Sequence, residues 1–352
     1  MTSIFSNNTV ELKHKRVIYT APKHIFLKVD SNNTLNNKDD YTGTFGLYTV
    51  NTENFLDGAY SIVLKYEDKA AKNKEHSRIA LKISCYTKTY FNKVKQELDI
   101  YDMLRKKKDY SKYICACYGI ETLKYGRKTF NYLTMEYLTC DLFDFIFKHK
   151  RSYSDKNVYS ILLQTIHGLQ FLHKNNIIYN DLKMENIMIS SMKCNPETGE
   201  NIIKTKLIDF NCSTILNHNR EGGSKHIEIG GGTLEYMSPE LQRCVNRKSF
   251  YSLTPKSDVW SIGILACMLF LHSQPYEDKT SRLIIKNVQM NIYNDINKCI
   301  EYVNNIKDVS SIPSFIKNSK EIENTLITIM DMCFKTKLNK RSTMEDLNDL
   351  LS

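Results

Sequence analysis

The sequence predicts an α+β protein in which a small β-rich part precedes a larger helical part. Residues 45–84 are rich in β-branched and aromatic side chains, with turn signals at a D-G pair and in the charged stretch EDKAAKNKEHSR, as is typical of a small antiparallel sheet. Apolar residues then recur at helical spacing in residues 92–108 and 155–176. Residues 1–44 are polar and rich in Asn, and we expect them to form an extension before the sheet.

The helical segments can be placed in more detail. Four apolar residues share one face of the first helix: Val94, Leu98, Tyr101 and Leu104. Glu97 lies on or beside that face. Asp155 is expected to be the N-cap of the second helix. The run SIGILACMLFL at residues 261–271 predicts a buried helix that is too short to span a bilayer.

Composition bounds the class of protein without choosing a partner. The 352 residues are 41% hydrophobic and 25% charged, which is globular composition with room for two lobes. A net charge of +10 favours anionic partners such as nucleotides or acidic proteins, and no dedicated nucleic-acid or membrane surface is predicted. Ten cysteines lie scattered without zinc-site spacing. We therefore expect reduced thiols and a cytoplasmic location, with a nuclear location left open.

The stretch IIYNDLKMENIMIS at residues 177–190 carries the chemistry of phosphoryl transfer. Asp181 can accept the proton of an acceptor hydroxyl, and Lys183 can contact the transferred phosphate. Asn186 can give a neutral oxygen to a divalent metal, which then needs a carboxylate. Asp209, at the end of the apolar stretch KLIDFN, can supply it.

These motifs resemble those of the eukaryotic protein kinase superfamily, of the Ser/Thr type. YNDLKMEN resembles its catalytic loop, and DFN stands where D-F-G is usual. IALK ends in Lys82, placed like the phosphate-binding Lys of the family, and Glu97 stands where the partner of that Lys is found. TLEYMSPE and SDVWSIGIL resemble later motifs of the large lobe. Arg341 is placed like the Arg that pairs with the Glu of S-P-E, here Glu240.

The resemblance implies a bilobal protein-kinase-like fold with a β-rich N-lobe at residues 45–138 and a helical C-lobe at 139–352. It also implies ATP and Mg²⁺ as cofactors, with Mn²⁺ as an alternative metal, and a protein substrate as partner. Asp181 and Lys183 would be catalytic, and the Thr233 hydroxyl would brace both. Asn186 and Asp209 would hold the metal.

The glycine-rich loop has two candidates, at residues 41–48 and 56–63. The second is preferred because Val63 precedes Lys82 by 19 positions, near the usual gap in the family. Met135 would be the gatekeeper, backbone groups of Glu136 and Leu138 would bind adenine, and Asp141 would reach the ribose. In all, the resemblance assigns nucleotide contacts to these residues: Leu56, Gly58, Ala59, Tyr60, Ser61, Val63, Ala80, Lys82, Glu97, Met135, Glu136, Leu138 and Asp141.

Three departures from the family pattern bear on regulation. Tyr179 replaces His, and its aromatic ring can fill the same packing site. Asn180 replaces the Arg that clamps an activation-loop phosphate, so we expect no activation of that kind. Asn211 replaces the Gly of D-F-G, and Asn tolerates a left-handed backbone better than other residues with side chains. Three hydroxyls are candidate phosphorylation sites: Ser213, Thr214 and Ser224.

Three functions remain open from sequence. An active Ser/Thr protein kinase is favoured by Lys183 and Thr233. A small-molecule kinase of the choline or aminoglycoside type is favoured by Asn180 and Asn211, but those families lack TLEYMSPE and SDVWSIGIL. A pseudokinase scaffold is favoured by the loss of two loop glycines. It is opposed by a complete set of reactive residues: Lys82, Glu97, Asp181, Lys183, Asn186 and Asp209.

Overall fold

The fold is known from a computed structural model, and the chain divides into two compact units. The first comprises Met1–Ser111 and Cys115–Leu138, and the second comprises Lys112–Ile114 and Thr139–Ser352. The structure describes these residues: 3–6, 9–14, 17–22, 43–48, 61–68, 78–85, 91–125, 128–149, 153–197, 199–216, 226–227, 232–242, 251–252, 254–272, 304 and 319–352. The predicted α+β class is confirmed, since sheets dominate the first unit and helices the second. The finer residue limits of the two lobes stay a prediction.

The first unit contains two antiparallel sheets. Its strands are β1 (Ser3–Ser6), β2 (Thr9–His14), β3 (Val17–Pro22), β4 (Gly43–Tyr48), β5 (Ser61–Asp68), β6 (Arg78–Cys85), β7 (Cys117–Tyr125) and β8 (Lys128–Glu136). Strands β1 to β3 form one sheet, and the other has the order β4-β5-β6-β8-β7. The sheet in the N-terminal extension was not predicted, because its strands are short and lie in a segment that is polar overall.

The helix of the first unit, α1 (Phe91–Leu104), presents a slightly different face from the predicted one. Val94, Tyr101 and Leu104 are buried as expected, but Leu98 is half-buried and Glu97 is buried in its place. The inward face therefore follows the spacing i, i+3, i+7 and i+10 from Val94. A carboxylate buried in this way requires a compensating partner.

The second unit contains four longer helices among its described residues. They are α2 (Asp155–Lys174), α3 (Lys256–Leu271), α4 (Lys320–Cys333) and α5 (Met344–Leu351). The predicted N-cap of α2 is wrong by one residue. Ser154 accepts the N–H of Asn157, while Asn157 Oδ1 accepts the N–H of Ser154, a reciprocal capping box. Asp155 instead opens the first turn, where its negative charge suits the helix dipole.

Helix α3 is the buried helix that the sequence predicted, with every residue from Ser257 to Leu271 shielded from solvent. Its close approach to α4 depends on Gly263. A Cβ at that position would lie 2.7 Å from Cβ of Cys333 and 2.7 Å from Cε1 of Phe334. In the part of the chain that the structure describes, no helix combines the length and apolarity needed to cross a membrane.

Short strands of the second unit position the loops between them. They are β9 (Cys140–Asp141), β10 (Ile177–Ile178), β11 (Ile187–Cys194), β12 (Asn201–Leu207), β13 (Thr214–Ile215), β14 (His226–Ile227) and β15 (Tyr251–Ser252). Strands β11 and β12 form an antiparallel hairpin. The loop with Asp181 runs from β10 to β11, and Asp209 follows β12. Strand β13 then pairs with β10.

Candidate active site

Asp181 is the centre of a hydrogen-bonded group on the loop after β10. Thr233 Oγ1 donates to Asp181 Oδ1 at 2.8 Å, and Lys183 Nζ donates to Thr233 Oγ1 at 2.9 Å. Lys183 Nζ also lies 3.3 Å from Asp181 Oδ2. Asn186 Nδ2 donates to the Asp181 carbonyl at 2.8 Å and to Oδ2 at 3.1 Å. Both carboxylate oxygens are thus held in a fixed orientation, as a positioned base requires.

The local fold explains why these groups meet. A 3-10 turn at Met184–Asn186 places Asn186 back against Asp181, five residues earlier. Thr233 comes from a distant segment, directly before the 3-10 turn Leu234–Tyr236. Burial alone would lower the pKa of Lys183, but the negative charges of Asp181 and Glu185 outweigh it and raise that pKa. Lys183 is therefore a cation at neutral pH.

Asn186 and Asp209 are linked through the main chain. The N–H of Ile208 donates to the carbonyl of Asn186 at 3.1 Å, so the residue before Asp209 is bonded to Asn186. Asp209 has a positive φ of 62°, and Asn211 does not have a positive φ. The left-handed residue of the DFN motif is therefore Asp209, and the tolerance of Asn211 for that backbone is not used.

The two predicted metal ligands fit a hard cation. Asn186 Nδ2 donates to Asp181, so the side-chain oxygen Oδ1 of Asn186 is the atom that can face a metal. Asp209 offers a carboxylate. Mg²⁺ prefers oxygen ligands and is commonly held by one or two protein groups together with phosphates and water. Over the described ranges, no group of three or more His, Cys, Asp or Glu side chains could hold a metal.

Lys82 and Glu97 form a buried ion pair within the first unit. Lys82 Nζ lies 2.7 Å from Glu97 Oε1, and the two side chains are 9% and 2% exposed. This is the partner that burial of Glu97 on α1 requires. Strand register also places Val63 opposite Lys82, and Ala80 opposite Met135. Because Ala80 and Lys82 are two residues apart, these predicted nucleotide contacts share one face of the sheet.

At the strand end that is predicted to bind adenine, some hydrogen-bonding groups already bond to other residues of the protein. The N–H of Glu136 donates to Ala116 O at 2.9 Å, and Glu136 Oε2 accepts the N–H of Ala116 at 3.2 Å. A contact of the Glu136 backbone with adenine can therefore use only its carbonyl oxygen. Leu138 is buried at the end of the first unit.

Asp141, the predicted ribose contact, lies buried in the second unit. Its Oδ1 accepts the N–H of Asp144 at 2.7 Å. Burial raises the pKa of Asp141 to about 6, and the negative charges of Asp144 and Glu185 act in the same direction. This carboxyl group is therefore poised to titrate near neutral pH.

The glycine loop can be described only in part. Leu56, Gly58, Ala59 and Tyr60 lie outside the described residues, as does the candidate phosphorylation site Ser224. Ser61 begins β5, and nothing of its side chain is described. Most of the alternative candidate, residues 41–48, is strand β4, paired with β5.

Sequence reasoning missed the role of Asp258 at the start of α3. This residue is fully buried, and its Oδ1 accepts the N–H of Asn180 at 2.8 Å. Its Oδ2 accepts the N–H of Tyr179 at 3.0 Å and lies 2.8 Å from Nε2 of His173. Because a carboxylate only accepts, His173 must donate from Nε2. The one signal in the sequence was an acidic residue within an otherwise apolar helix.

The expected pairing of Glu240 with Arg341 is present. Arg341 Nη1 and Nη2 donate to the two carboxylate oxygens of Glu240 at 2.7 and 2.8 Å. Arg341 is buried, and its guanidinium lies 5.2 Å from the centre of the Trp260 ring. Two parallel charge-assisted bonds of this kind fix geometry as well as adding stability.

The model of the protein kinase domain matches residues 55–350, a span that includes residues 56–63 and begins after 41–48. Over 164 residues, the chain is 31% identical to the meiosis-specific serine/threonine-protein kinase MEK1 of Saccharomyces cerevisiae. The aligned region covers 43% of this chain and 31% of the relative.

Two relatives from Plasmodium berghei are similar over comparable lengths. Calcium-dependent protein kinase 6 is 32% identical over 147 residues, covering 42% of this chain and 8% of the relative. Calcium-dependent protein kinase 4 is 29% identical over 153 residues, covering 44% and 25%. This chain thus spans less than a third of the length of each of these three relatives.

Proposed function

This chain belongs to the protein kinase domain family, and on that premise we propose that it transfers the γ-phosphoryl group of ATP to Ser and Thr hydroxyls of protein substrates. The observation that carries the proposal is the closed hydrogen-bonded group of Asp181, Lys183, Asn186 and Thr233. Such a group holds a base, a cation and a metal-facing oxygen in fixed relation, which is what phosphoryl transfer requires.

Each residue has a defined task in the proposed mechanism. Asp181 orients the acceptor hydroxyl and takes its proton as the new O–P bond forms and the bond to the leaving ADP breaks. Lys183 stabilises the charge on the transferred group. Lys82, held by Glu97, binds phosphate oxygens of the nucleotide. Bound MgATP would supply the phosphoryl group, and Asn186 and Asp209 would hold its metal, which would neutralise charge on the phosphates.

Specificity for Ser and Thr is supported by two features. Lys183 and the Thr233 hydroxyl are bonded to each other beside Asp181, the arrangement that the family resemblance implies for Ser/Thr enzymes. The relatives named above are described as serine/threonine or calcium-dependent protein kinases. We further propose that activity needs no phosphate on the activation segment, because Asn180 carries no charge with which to bind one.

The test is phosphorylation of a degenerate Ser/Thr peptide array with MgATP by the full chain and by Asp181→Asn. The variant should bind nucleotide within about twofold of wild type and lose phosphoryl transfer by at least roughly a hundredfold, because the proton acceptor is lost. Asp349→Asn, on the exposed side of α5, is the matched control and should behave as wild type.

Three results would contradict the proposal. If Asp181→Asn kept wild-type turnover, the assignment of the base would be wrong. If wild type labelled no peptide but phosphorylated choline or an aminoglycoside, the chain would be a small-molecule kinase. If it bound nucleotide and transferred phosphate to neither, a scaffolding role would be the better account.

A further inference from the structure

The segment after Asp209 returns to the loop that carries Asp181. Strands β10 and β13 pair antiparallel, with Ile178 opposite Thr214. The N–H of Leu216 also donates to the carbonyl of Asn176 at 2.7 Å. Residues 212–216 are therefore docked beside the catalytic loop by main-chain bonds, and side chains add to them.

Asn180 fastens the start of this docked segment. Its Nδ2 donates to the carbonyl of Cys212 at 2.9 Å and lies 3.3 Å from Thr214 Oγ1. Because a carbonyl only accepts, the atom of the carboxamide that faces Cys212 must be Nδ2. The bond is therefore one that a neutral amide makes and a carboxylate does not.

Ser213 fastens the same segment from the opposite direction. Its hydroxyl donates to the carbonyl of Tyr179 at 3.0 Å, and the residue is fully buried. Thr214 is also buried. Two of the candidate phosphorylation sites, Ser213 and Thr214, are therefore buried in the docked segment, where both hydroxyls take part in hydrogen bonds.

Asp209 lies between these contacts and a third one. The hydroxyl of Tyr179 donates to the carbonyl of Ile208, the residue before Asp209. The main chain is thus held immediately before Asp209 and three to four residues after it. Between these points Asp209 adopts φ of 62°, a left-handed conformation that Asp and Asn adopt more readily than other residues with side chains. The N–H of Asn211, 3.4 Å from Asp209 Oδ1, also supports it.

Asn180 is itself firmly oriented. It too is left-handed, with φ of 67°, which Asn accepts more readily than most residues. Its N–H is bonded to the buried Asp258. The bond to Asp258 at the start of α3 fixes the main chain of Asn180. This main chain therefore directs the carboxamide at Cys212 in advance.

We propose that Asn180 and Ser213 are positioning residues that hold the metal-binding Asp209 in its left-handed conformation without any phosphate. The inference rests on the proposed function. An Arg at position 180 would need an anionic partner, which phosphorylation must supply. A carboxamide needs only a peptide carbonyl, which is always present. The docked segment is therefore the unmodified ground state of this chain.

The test compares Asn180→Asp with Asn176→Asp in the full chain, freed of phosphate by phosphatase and verified by intact mass. Both positions are left-handed asparagines, but only Asn180 donates a side-chain bond to the docked segment. In Asn180→Asp, an oxygen would face the Cys212 carbonyl and repel it. The variant should need about tenfold more Mg²⁺ both for half-maximal transfer to a pooled Ser/Thr peptide library and for half-maximal thermal stabilisation by ATP without peptide, because fewer molecules have Asp209 in place.

The KM for ATP at saturating Mg²⁺ should stay within about twofold, a separation that general loss of folding would not produce. Asn176→Asp should match wild type in both constants. Ser213→Ala, which removes one oxygen from a buried site, should shift the Mg²⁺ dependence in the same direction as Asn180→Asp. It carries the test alone if Asn180→Asp does not fold.

The outcomes separate this inference from the function on which it rests. A wild-type chain that phosphorylates no peptide overturns the proposed function. A wild-type chain that is active but loses its activity on phosphatase treatment overturns the inference and the proposed independence of an activation-segment phosphate, and it leaves the proposed phosphoryl transfer to proteins standing. The same holds if the chain stays active and both Ser213→Ala and any folded Asn180→Asp retain the Mg²⁺ dependence of Asn176→Asp.

Discussion

Lys82 Nζ lies 2.7 Å from Glu97 Oε1, and neither side chain is more than 9% exposed. An ion pair taken out of water costs desolvation that its mutual attraction only partly offsets. Breaking it by removing one partner is worse than replacing both, because one buried charge then loses its counter-charge. The pair is therefore better explained by the orientation of Lys82 than by its contribution to stability.

The first prediction follows from that asymmetry. Lys82→Met should lower the free energy of unfolding by about 3–5 kcal/mol and abolish phosphoryl transfer. Adding Glu97→Leu should recover most of the stability but none of the activity. Urea unfolding and a peptide phosphorylation assay measure the two effects.

The control for this prediction is the exposed ion pair of Lys95 and Asp99, also 2.7 Å apart. Both residues lie on α1, the helix that carries Glu97. Lys95→Met should change stability by about 1 kcal/mol or less, since water screens the pair. If the double variant of Lys82 and Glu97 proved no more stable than Lys82→Met, stability would be a real function of the pair.

A second prediction concerns Arg341 and Glu240. Arg341→Lys keeps the charge but loses the bidentate geometry and the bond from Nε to the carbonyl of Lys335 at 3.0 Å. We expect a loss of about 3 kcal/mol, because a buried carboxylate would lose part of its pairing. Lys156→Met breaks an exposed ion pair with Glu200 and should cost no more than about 1 kcal/mol. Equal urea midpoints for the two variants would contradict this.

The contacts that the sequence predicted are those tied to ordered motifs. Lys82 with Glu97 and Glu240 with Arg341 were expected because each stands in a motif whose position along the chain resembles the family pattern. The bond from the main-chain N–H of Asn180 to the side chain of Asp258, by contrast, joins residues 78 positions apart. No local periodicity or spacing reports such a contact.

Other differences come from choices that are nearly equal in energy. Ser and Asp are both good N-cap residues, so one residue separated the predicted start of α2 from the observed one. In DFN, the sequence drew attention to Asn211 as a residue that tolerates a left-handed backbone. The left-handed residue is Asp209 instead, between two residues that bond to Tyr179, and tertiary contacts of this kind are not visible in a short motif.

A third prediction follows from the pKa of Asp141, which burial raises from a usual value of 3.8 to about 6. Since the folded state favours the protonated form, this group stabilises the fold fully below pH 3.8, and that stabilisation is lost as pH rises through about 6. Asp141→Asn keeps an oxygen that can accept the N–H of Asp144 and carries no charge. The variant should therefore melt at a higher temperature than wild type at pH 8.

The pH dependence provides the control for Asp141. The difference in Tm between Asp141→Asn and wild type should shrink towards zero between pH 8 and pH 4. Asp349→Asn, at an exposed position, should show no such trend. A variant that was less stable than wild type at pH 8 would show that the ionised carboxylate has a stabilising partner.

The final prediction concerns Thr233, whose hydroxyl receives a bond from Lys183 and gives one to Asp181. Thr233→Val keeps the shape of the side chain and removes both bonds. Asp181 Oδ2 would keep its contacts with Asn186 and Lys183, but Oδ1 would lose the bond from Thr233, so the carboxylate plane would be held less firmly. We expect kcat to fall by roughly tenfold to a hundredfold, equivalent to about 1.4–2.8 kcal/mol, with the KM for ATP little changed.

Thr233→Ser retains the hydroxyl and should keep kcat within about threefold of wild type. Steady-state kinetics on one array peptide distinguish the two variants. If both lost activity equally, the methyl group of Thr233, and not its hydroxyl, would be the part that matters.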